Sequence, residues 1–111
     1  MNQYDVYLAD LNPTIGREQF GKRPVLIISN NYENLLDVVT IIPITSLKKG
    51  RKIYPNEVFL PNELEVPSIL LCQQIRTISK KRLIKKLTSI DNYLTQRKIV
   101  DTLCLRFEDM T

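Results

Sequence analysis

The sequence predicts a small, mainly β protein, with five or six short antiparallel strands forming a barrel and one helix packed on it. Short apolar runs rich in β-branched residues alternate with turns that contain Gly, Pro or Asn. Near the C-terminus the hydrophobic period changes from two residues to about 3.6. With 111 residues, the chain can bury one core but not two, so we expect a single domain over residues 1–111.

The first two predicted strands flank a polar loop that contains two glycines. Tyr4 to Leu11 alternates imperfectly, and Asn12-Pro13 ends this first strand because proline donates no ladder hydrogen bond. Arg23 to Ser29 predicts a second strand whose continuous apolar run indicates burial on both faces. A turn with one helical turn before Leu36 follows.

The middle of the chain predicts four further strands. Val38 to Ser46 is the third, and Pro43 within it indicates a sheet edge or a bulge. Tyr54 to Leu60 predicts the fourth strand. Ser68 to Ile78 predicts one continuous fifth strand, and after a short turn a brief sixth strand covers Leu83 to Leu87.

The last segment predicts an amphipathic helix with Ser89 as its N-cap. We expect its apolar face to form core and dimer contacts; the side chains on that face are Ile90, Tyr93, Leu94, Val100, Leu103, Cys104 and Phe107. Cys104 on this face and Cys72 in the fifth strand are expected to be small buried thiols, as in a reducing compartment.

Composition excludes several classes of site. The chain has no histidine, which excludes histidine metal sites, Ser-His-Asp triads and two-histidine cleavage of RNA, and two isolated cysteines cannot build a zinc site. No apolar run approaches the ~20 residues that cross a bilayer, and the N-terminus resembles no export signal. We therefore expect a cytoplasmic protein without a metal or a membrane partner.

The positive charge is unevenly distributed. The formal net charge is +4, and one basic cluster, Lys48 to Lys52, lies in a predicted hairpin loop. A second stretch, Val66 to Lys98, carries eight basic residues and one acid. Such clusters fit a phosphate backbone as partner, or equally a solvated surface.

The polar loop before the second strand carries the candidate chemistry. Cleavage of RNA without a metal needs a base for the 2′-hydroxyl, a cation for the phosphorane and an acid for the leaving oxygen. Glu18 is a candidate base and Arg23 a candidate cation. Thr45 or Ser46, at the end of the third strand, could bond a phosphate oxygen if strands two and three pair. Arg23 as a structural ion-pair partner remains the alternative.

Three linked motifs, spread in order over nearly the whole chain, resemble the MazF/PemK toxin endoribonucleases. The first comprises Asp5-Val6-Tyr7, Asp10-Leu11-Asn12-Pro13, Gly16, Glu18-Gln19, Gly21 and Arg23-Pro24-Val25-Leu26 with Ser29. The second is Thr40 to Ser46, which ends Pro43-Ile44-Thr45-Ser46. The third runs from Ile69 to Ile78, through Cys72-Gln73-Gln74-Ile75-Arg76-Thr77, and continues into Lys81-Arg82-Leu83.

The resemblance implies an SH3-like barrel of the CcdB/PemK type, with five to seven short strands and a C-terminal helix. It implies a type II toxin that cuts single-stranded RNA, mainly mRNA, without a metal or cofactor, by 2′-hydroxyl attack. The products would be 2′,3′-cyclic or 3′-phosphate and 5′-hydroxyl ends. It further implies a homodimer whose RNA groove is blocked by the acidic, flexible tail of a MazE/PemI-like antitoxin.

By matching position, Arg23 and Thr45 correspond to the family's catalytic arginine and threonine, and Glu18 to the acidic residue of the preceding loop. Candidate RNA-binding side chains are Lys22, Ser46, Lys48, Lys49, Arg51, Lys52, Gln73 and Gln74. Arg76 is expected to be structural or to lie at the dimer interface.

The sequence departs from the family pattern at two places. Tyr4 stands where the family usually has glycine, so the local turn is expected to differ. Leu71 and Gln73 stand where some members place a catalytic arginine and carboxylate, so that arrangement is not available here. Two rival readings remain: a gyrase-directed, CcdB-like toxin, disfavoured because the chain lacks tryptophan, and a catalytically inactive RNA-binding relative.

Overall fold

Seven antiparallel strands and one C-terminal helix form the part of the chain, residues 1–108, that a computed structural model describes. The strands are β1 (Asp5–Asp10), β2 (Lys22–Ile27), β3 (Val38–Ser46), β4 (Glu57–Leu60), β5 (Ser68–Leu71), β6 (Arg76–Ser79) and β7 (Leu83–Ser89), and the helix is α1 (Tyr93–Leu105). Single 3-10 turns cover Glu33–Leu35, Cys72–Gln74 and Lys80–Arg82. The predicted mainly β class and terminal helix are confirmed. The seven strands exceed by one the five or six predicted from the sequence pattern and lie within the five to seven that the resemblance implies. Residues 109–111 of the predicted domain lie outside the described range.

The strands follow one another in the order β4-β5-β3-β2-β1-β7, and β6 also pairs with β3. Two apolar clusters form the core, one centred on Leu26, Ile42, Leu70 and Ile99 and the other on Val25 and Ile41. β2 is buried on both faces over Val25 to Ile28, as its continuous apolar run predicts. No helix among residues 1–108 has both the length and the apolarity needed to cross a membrane.

β3 is a central strand with three partners. Its first part pairs with β2 on one side and β6 on the other, and from Ile44 onward it pairs with β5. β3 as a whole is therefore not an edge strand, but the edge expected at Pro43 is present locally and on one side. Pro43 pairs with Val25 of β2, whereas on its other side β6 has ended and β5 has not yet begun, so no partner strand lies beside it there.

The continuous fifth strand predicted for Ser68 to Ile78 is also wrong. Ile41 and Ile44 are three positions apart on β3, but their partners, Arg76 and Leu70, are six positions apart. The three extra residues, Cys72 to Gln74, loop out of the ladder as a 3-10 turn. Because the turn takes up these extra residues, β5 and β6 can pair with the two successive parts of β3.

Tyr4 adopts a left-handed backbone conformation, which glycine adopts with little strain. Its φ is +72°, in the left-handed region that costs a non-glycine residue steric strain. Its N–H donates to Ile27 O (2.7 Å), its carbonyl accepts from Ile90 N–H (2.9 Å), and its ring packs on the core. Packing and two backbone hydrogen bonds thus hold the left-handed conformation despite the tyrosine side chain.

The helix begins later than predicted. Asn92, not Ser89, is the N-cap, and its side chain accepts from Thr95 N–H (3.1 Å). Ser89 ends β7, where its hydroxyl donates to Asp5 Oδ1 (2.7 Å). Burial raises the pKa of Asp5, but this bond, a bond from Asn2 N–H and the nearby Lys86 ammonium hold it below its ordinary value.

The predicted apolar face of the helix is only partly buried. Ile99 and Thr102 face the interior, whereas Tyr93, Leu94 and Phe107 are 69%, 76% and 80% exposed. The two cysteines differ in the same way: Cys72 is buried as expected, but Cys104 is exposed, which corrects the prediction. Burial, and then the charge of Glu57, raises the pKa of the Cys72 thiol to about 11. That thiol therefore stays protonated at neutral pH.

Candidate functional site

The largest of the cavities described here, about 500 Å³, opens where β2 and β3 separate. Their pairing ends at Val25 opposite Pro43, because β3 turns from Ile44 onward to pair with β5. The two diverging strand ends place Arg23 and Thr45 in the walls of this one cavity. The other walls are Lys22, Pro24, Ile44, Ser46, Glu63–Val66, Ser68, Leu87 and Thr88.

Arg23 is held by its own loop rather than by a carboxylate. Its Nε donates to Phe20 O (3.1 Å), and its guanidinium lies 5.8 Å from the centroid of the Phe20 ring. No salt bridge joins it to a carboxylate within residues 1–108. The alternative reading of Arg23 as a structural ion-pair residue finds no partner there, and its two terminal nitrogens remain to bind an anion.

Thr45 is half-buried and lies opposite Ile69 of β5. In the described part of the chain its hydroxyl forms no side-chain hydrogen bond. A cation and a hydroxyl donor in one open cavity can bind two oxygens of a phosphate. Lys22 and Ser46, both exposed, extend the same surface at the strand ends.

Glu18 does not line this cavity. It lies in a second cavity of about 330 Å³, whose other walls are Gln19, Pro43, Gln73, Gln74, Ile75 and Arg76. Its Oε2 is 3.8 Å from Arg76 Nη1, and its Oε1 accepts from Ile15 N–H (3.2 Å). The structure thus brings Arg23 and Thr45 together and places the third candidate beside a different arginine. Sequence reasoning did not foresee the pairing of Glu18 with Arg76.

The hairpin predicted around Lys48 to Lys52 is wrong, because this basic loop joins β3 to β4, and each of these strands pairs with β5 and not with the other. The basic loop contains two kinds of residue. Lys48, Lys49 and Lys52 are exposed, whereas Arg51 forms a bidentate ion pair with Glu57, with both N–O distances 2.9 Å. Glu57 also accepts from Tyr54 N–H (3.0 Å) and from Gln73 Nε2 (3.3 Å). The charge of Arg51 is therefore compensated within the protein, unlike the charges of the three lysines.

Glu57 was not singled out from the sequence, although it lies at a structural centre. Its side chain is 2% exposed. The hydrogen bonds from Arg51 lower its pKa, burial opposes them, and the bonds from Tyr54 and Gln73 add to the lowering. An acidic residue at the start of an otherwise apolar strand, six positions after an arginine, was the available signal. The Glu57 carboxylate thus links Arg51 in the basic loop to Gln73 in the 3-10 turn between β5 and β6.

Acidic and sulfur side chains do not assemble into a metal-ligand cluster within residues 1–108: no three or more His, Cys, Asp or Glu residues come together there. The donor set of the larger cavity is instead cationic and hydroxylic. Such a set suits the direct stabilisation of charge on a phosphate.

Comparisons with known proteins point to one family. The family model for the PemK-like, MazF-like toxin of type II toxin–antitoxin systems matches residues 2–105. Endoribonuclease EndoA of Bacillus subtilis (strain 168) is 36% identical over 96 residues, which cover 84% of this chain and 83% of that protein. Endoribonuclease MazF of Staphylococcus saprophyticus is 38% identical over 102 residues, which cover 89% of this chain and 82% of that protein.

Solved structures give the same fold. MazF from Deinococcus radiodurans superposes with a TM-score of 0.80 at 26% identity, over 96% of this chain and 94% of that one. An endoribonuclease from a mycobacterial species, solved in complex with its cognate antitoxin, superposes at 0.78 over 98% of each chain, and at 24% identity it supports the fold alone. Since the family model covers nearly the whole chain and two relatives exceed one-third identity, this chain belongs to the PemK-like, MazF-like toxins of type II toxin–antitoxin systems.

Proposed function

We propose that this toxin is a sequence-selective endoribonuclease that cuts single-stranded RNA, mainly mRNA, in the cytoplasm and thereby stops translation and growth. The observation that carries the proposal is the meeting of Arg23 and Thr45 in one open cavity at two diverging strand ends. The names of two relatives, both endoribonucleases, support the same reaction. The whole chain, residues 1–111, acts as one toxin domain in this proposal.

In the proposed reaction the 2′-hydroxyl loses its proton as its oxygen attacks the adjacent phosphorus. The P–O5′ bond breaks and the leaving 5′-oxygen gains a proton, so that the step consumes no net proton. The products are a 2′,3′-cyclic phosphate, which can open to a 3′-phosphate, and a 5′-hydroxyl. Charge builds up on the non-bridging oxygens, where the planar fork of Arg23 can donate two parallel hydrogen bonds and Thr45 a third. Glu18 stays the sequence-based candidate for the base, although its nearest cation is Arg76 rather than Arg23.

The proposal includes two protein partners, a second copy of the chain and an antitoxin. Solved relatives include MazE–MazF structures from Deinococcus radiodurans. Tyr93, Leu94 and Phe107 on and after α1 offer exposed apolar surface of the kind that protein contacts bury. The exposed lysines Lys48, Lys49 and Lys52 suit either an RNA backbone or the acidic tail of an antitoxin.

The proposed activity is tested directly by mapping the ends that the purified protein creates. Incubation with a long RNA transcript should yield 5′-hydroxyl ends at one short recurring motif. An excess of EDTA should leave the rate unchanged, because residues 1–108 contain no cluster of metal-ligating side chains. Sequencing of the ligated 5′-hydroxyl ends gives the readout. Intact RNA combined with inhibition of gyrase supercoiling would favour the CcdB-like alternative, and tight RNA binding without cleavage would favour the inactive relative.

Loss of the Thr45 hydroxyl should slow cleavage on the order of 10²-fold, the cost of one donor to a developing oxyanion. Thr45→Val keeps the shape and removes the hydroxyl, whereas Thr45→Ser keeps the hydroxyl and should retain most of the rate. Single-turnover cleavage of one RNA oligonucleotide measures both. Equal rates for the valine and serine variants would remove Thr45 from the proposed mechanism.

A further inference from the structure

The second cavity is built into the strand ladder. Ile28 N–H donates to Thr40 O (3.0 Å), so Thr40 directs its backbone groups toward β2. Backbone groups alternate along a strand, so Pro43 directs its own toward the opposite side, where the looped-out turn Cys72–Gln74 has left the ladder. Proline has no N–H to satisfy there. The gap between β5 and β6 therefore stays open without leaving an unpaired backbone donor on β3.

The hydrogen bonds of the two glutamines fix which group each presents to this cavity. Gln74 Oε1 accepts from Gln19 N–H (2.8 Å), which leaves the Gln74 amide nitrogen as the donor that faces outward. Gln73 uses its amide nitrogen on Glu57 (3.3 Å), which leaves the Gln73 oxygen as an acceptor. One donor and one acceptor are thus held in place by contacts from three separate segments.

Arg76 and Glu18 add a second donor and a second acceptor. Arg76 Nη1 is a buried atom that forms no hydrogen bond with any described residue, and the nearest Glu18 oxygen is 3.8 Å away, beyond hydrogen-bond distance. A buried donor without an acceptor costs free energy, because it has lost its hydrogen bond to water and gained no other. A ligand that supplies the acceptor recovers this cost, so the geometry favours a partner with an acceptor beside a donor.

We propose that the second cavity binds one unpaired RNA base by its Watson–Crick edge, with guanine as the preferred base; this inference rests on the proposed endoribonuclease function. Guanine presents O6, an acceptor, directly beside the N1–H and N2–H donors. O6 accepts from Arg76 Nη1, and the two donors bond the Glu18 carboxylate. A phosphate in this place is disfavoured, because Glu18 would repel it, whereas every base carries both donors and acceptors on this edge.

The cavity lies next to the proposed cleavage site along both chain segments that form it. Glu18 and Gln19 lie in the loop that leads into Lys22 and Arg23 at the start of β2. Pro43 directly precedes the Ile44 to Ser46 segment that lines the larger cavity. A base held here belongs to a nucleotide beside the cleaved phosphate. In this proposal the Glu18 carboxylate recognises the nucleobase and does not act as the general base that takes the proton of the 2′-hydroxyl.

The test compares the cleavage motifs of Glu18→Gln, Arg76→Met and the unaltered toxin on a pool of RNA with a randomised segment. Both substitutions should lower the preference for guanine over the other bases about tenfold at the same single position of the motif, the size of one specific base contact. Glu18 is exposed on a loop, so its glutamine variant should fold normally. Arg97→Gln, which breaks an exposed pair on α1, is the matched control and should leave the motif unchanged.

Each result decides between distinct outcomes. If the unaltered toxin cuts no RNA, the proposed function fails. If it cuts, but Glu18→Gln stops cleavage of every sequence equally, Glu18 is the general base and the base-binding proposal is wrong. Unchanged motifs in both variants also overturn it. A shift at a position where the toxin prefers another base overturns the assignment to guanine.

Discussion

Replacing Arg23 with alanine should abolish RNA cleavage, with a loss of at least about 10²–10³-fold in the single-turnover rate. Arg23 is the one arginine that lines the larger cavity, and it makes no ion pair within residues 1–108. Its removal deprives the developing phosphorane charge of the one planar fork that can donate two parallel hydrogen bonds in this cavity. Arg23→Lys keeps the charge but not the bidentate fork, so it should recover only part of the rate. Expression of the alanine variant should no longer arrest growth.

The fold should survive this substitution. Arg23 contacts a backbone carbonyl and an exposed ring, both from Phe20 of the same loop, and it contributes nothing to the two core clusters. The melting temperature of the Arg23→Ala variant should stay within a few degrees of that of the unaltered protein. Its elution volume in size-exclusion chromatography should not change. Full cleavage activity in a folded Arg23→Ala variant would contradict the assignment of this cavity as the cleavage site.

Glu57→Ala should cause the largest loss of stability, about 2–3 kcal/mol in the free energy of unfolding. Breaking a buried ion pair leaves the remaining charge uncompensated, at a cost of about 3–5 kcal/mol when both partners are fully buried. Arg51 is 31% exposed, and water therefore recovers part of that cost. The Tyr54 N–H and the Gln73 amide also lose their acceptor. Urea unfolding followed by circular dichroism measures the difference.

The chain contains its own control for this prediction. Arg97 and Asp101 form a pair with the same 2.9 Å distance, but their side chains are 56% and 62% exposed. Asp101→Ala should therefore cost no more than about 0.5 kcal/mol. If Glu57→Ala and Asp101→Ala lower the free energy of unfolding by similar amounts, the buried hydrogen bonds of Glu57 contribute little to the stability of the protein.

The pH dependence gives a second readout of the same carboxylate. The pKa of Glu57 is lowered in the folded state, so its stabilising contribution is fully present above the unfolded pKa, near 4.3. That contribution disappears as the pH falls through the lower, folded pKa. The stability gap between the unaltered protein and Glu57→Ala should thus be constant above about pH 5 and shrink in more acidic solution. Asp5, whose pKa is also lowered, adds to the same acid destabilisation.

The fold class was predictable because it depends on patterns that are local in sequence. The β-branched run of the third predicted strand predicts both ends of β3 correctly, Val38 and Ser46. The expected pairing of β2 with β3 is present, and Arg23 and Thr45 line one cavity. Both residues lie at strand ends, where a rigid ladder fixes the backbone. Motif position and strand geometry therefore converge on the same two side chains.

The missed features depend on contacts between distant segments. Cys72 to Gln74 carry no turn signal of their own, and they leave the ladder because β3 already has fixed partners on either side of Pro43. Ser89 and Asn92 are both good N-cap residues, and a hydrogen bond to Asp5, 84 positions away, keeps Ser89 in the sheet. Likewise nothing in the loop sequence indicates that Glu18 lies beside Arg76. Registers of this kind are set by tertiary pairing.

The threefold pairing of β3 makes the fold cooperative. This strand pairs with β2 and β6 through its first part and with β5 through its last residues. If β3 leaves the sheet, all three of these strands lose a partner. Both cavities have walls on β3, one at Pro43 and the other from Ile44 to Ser46. A partly unfolded chain that has released β3 therefore retains neither cavity, and toxicity and native structure should be gained and lost together.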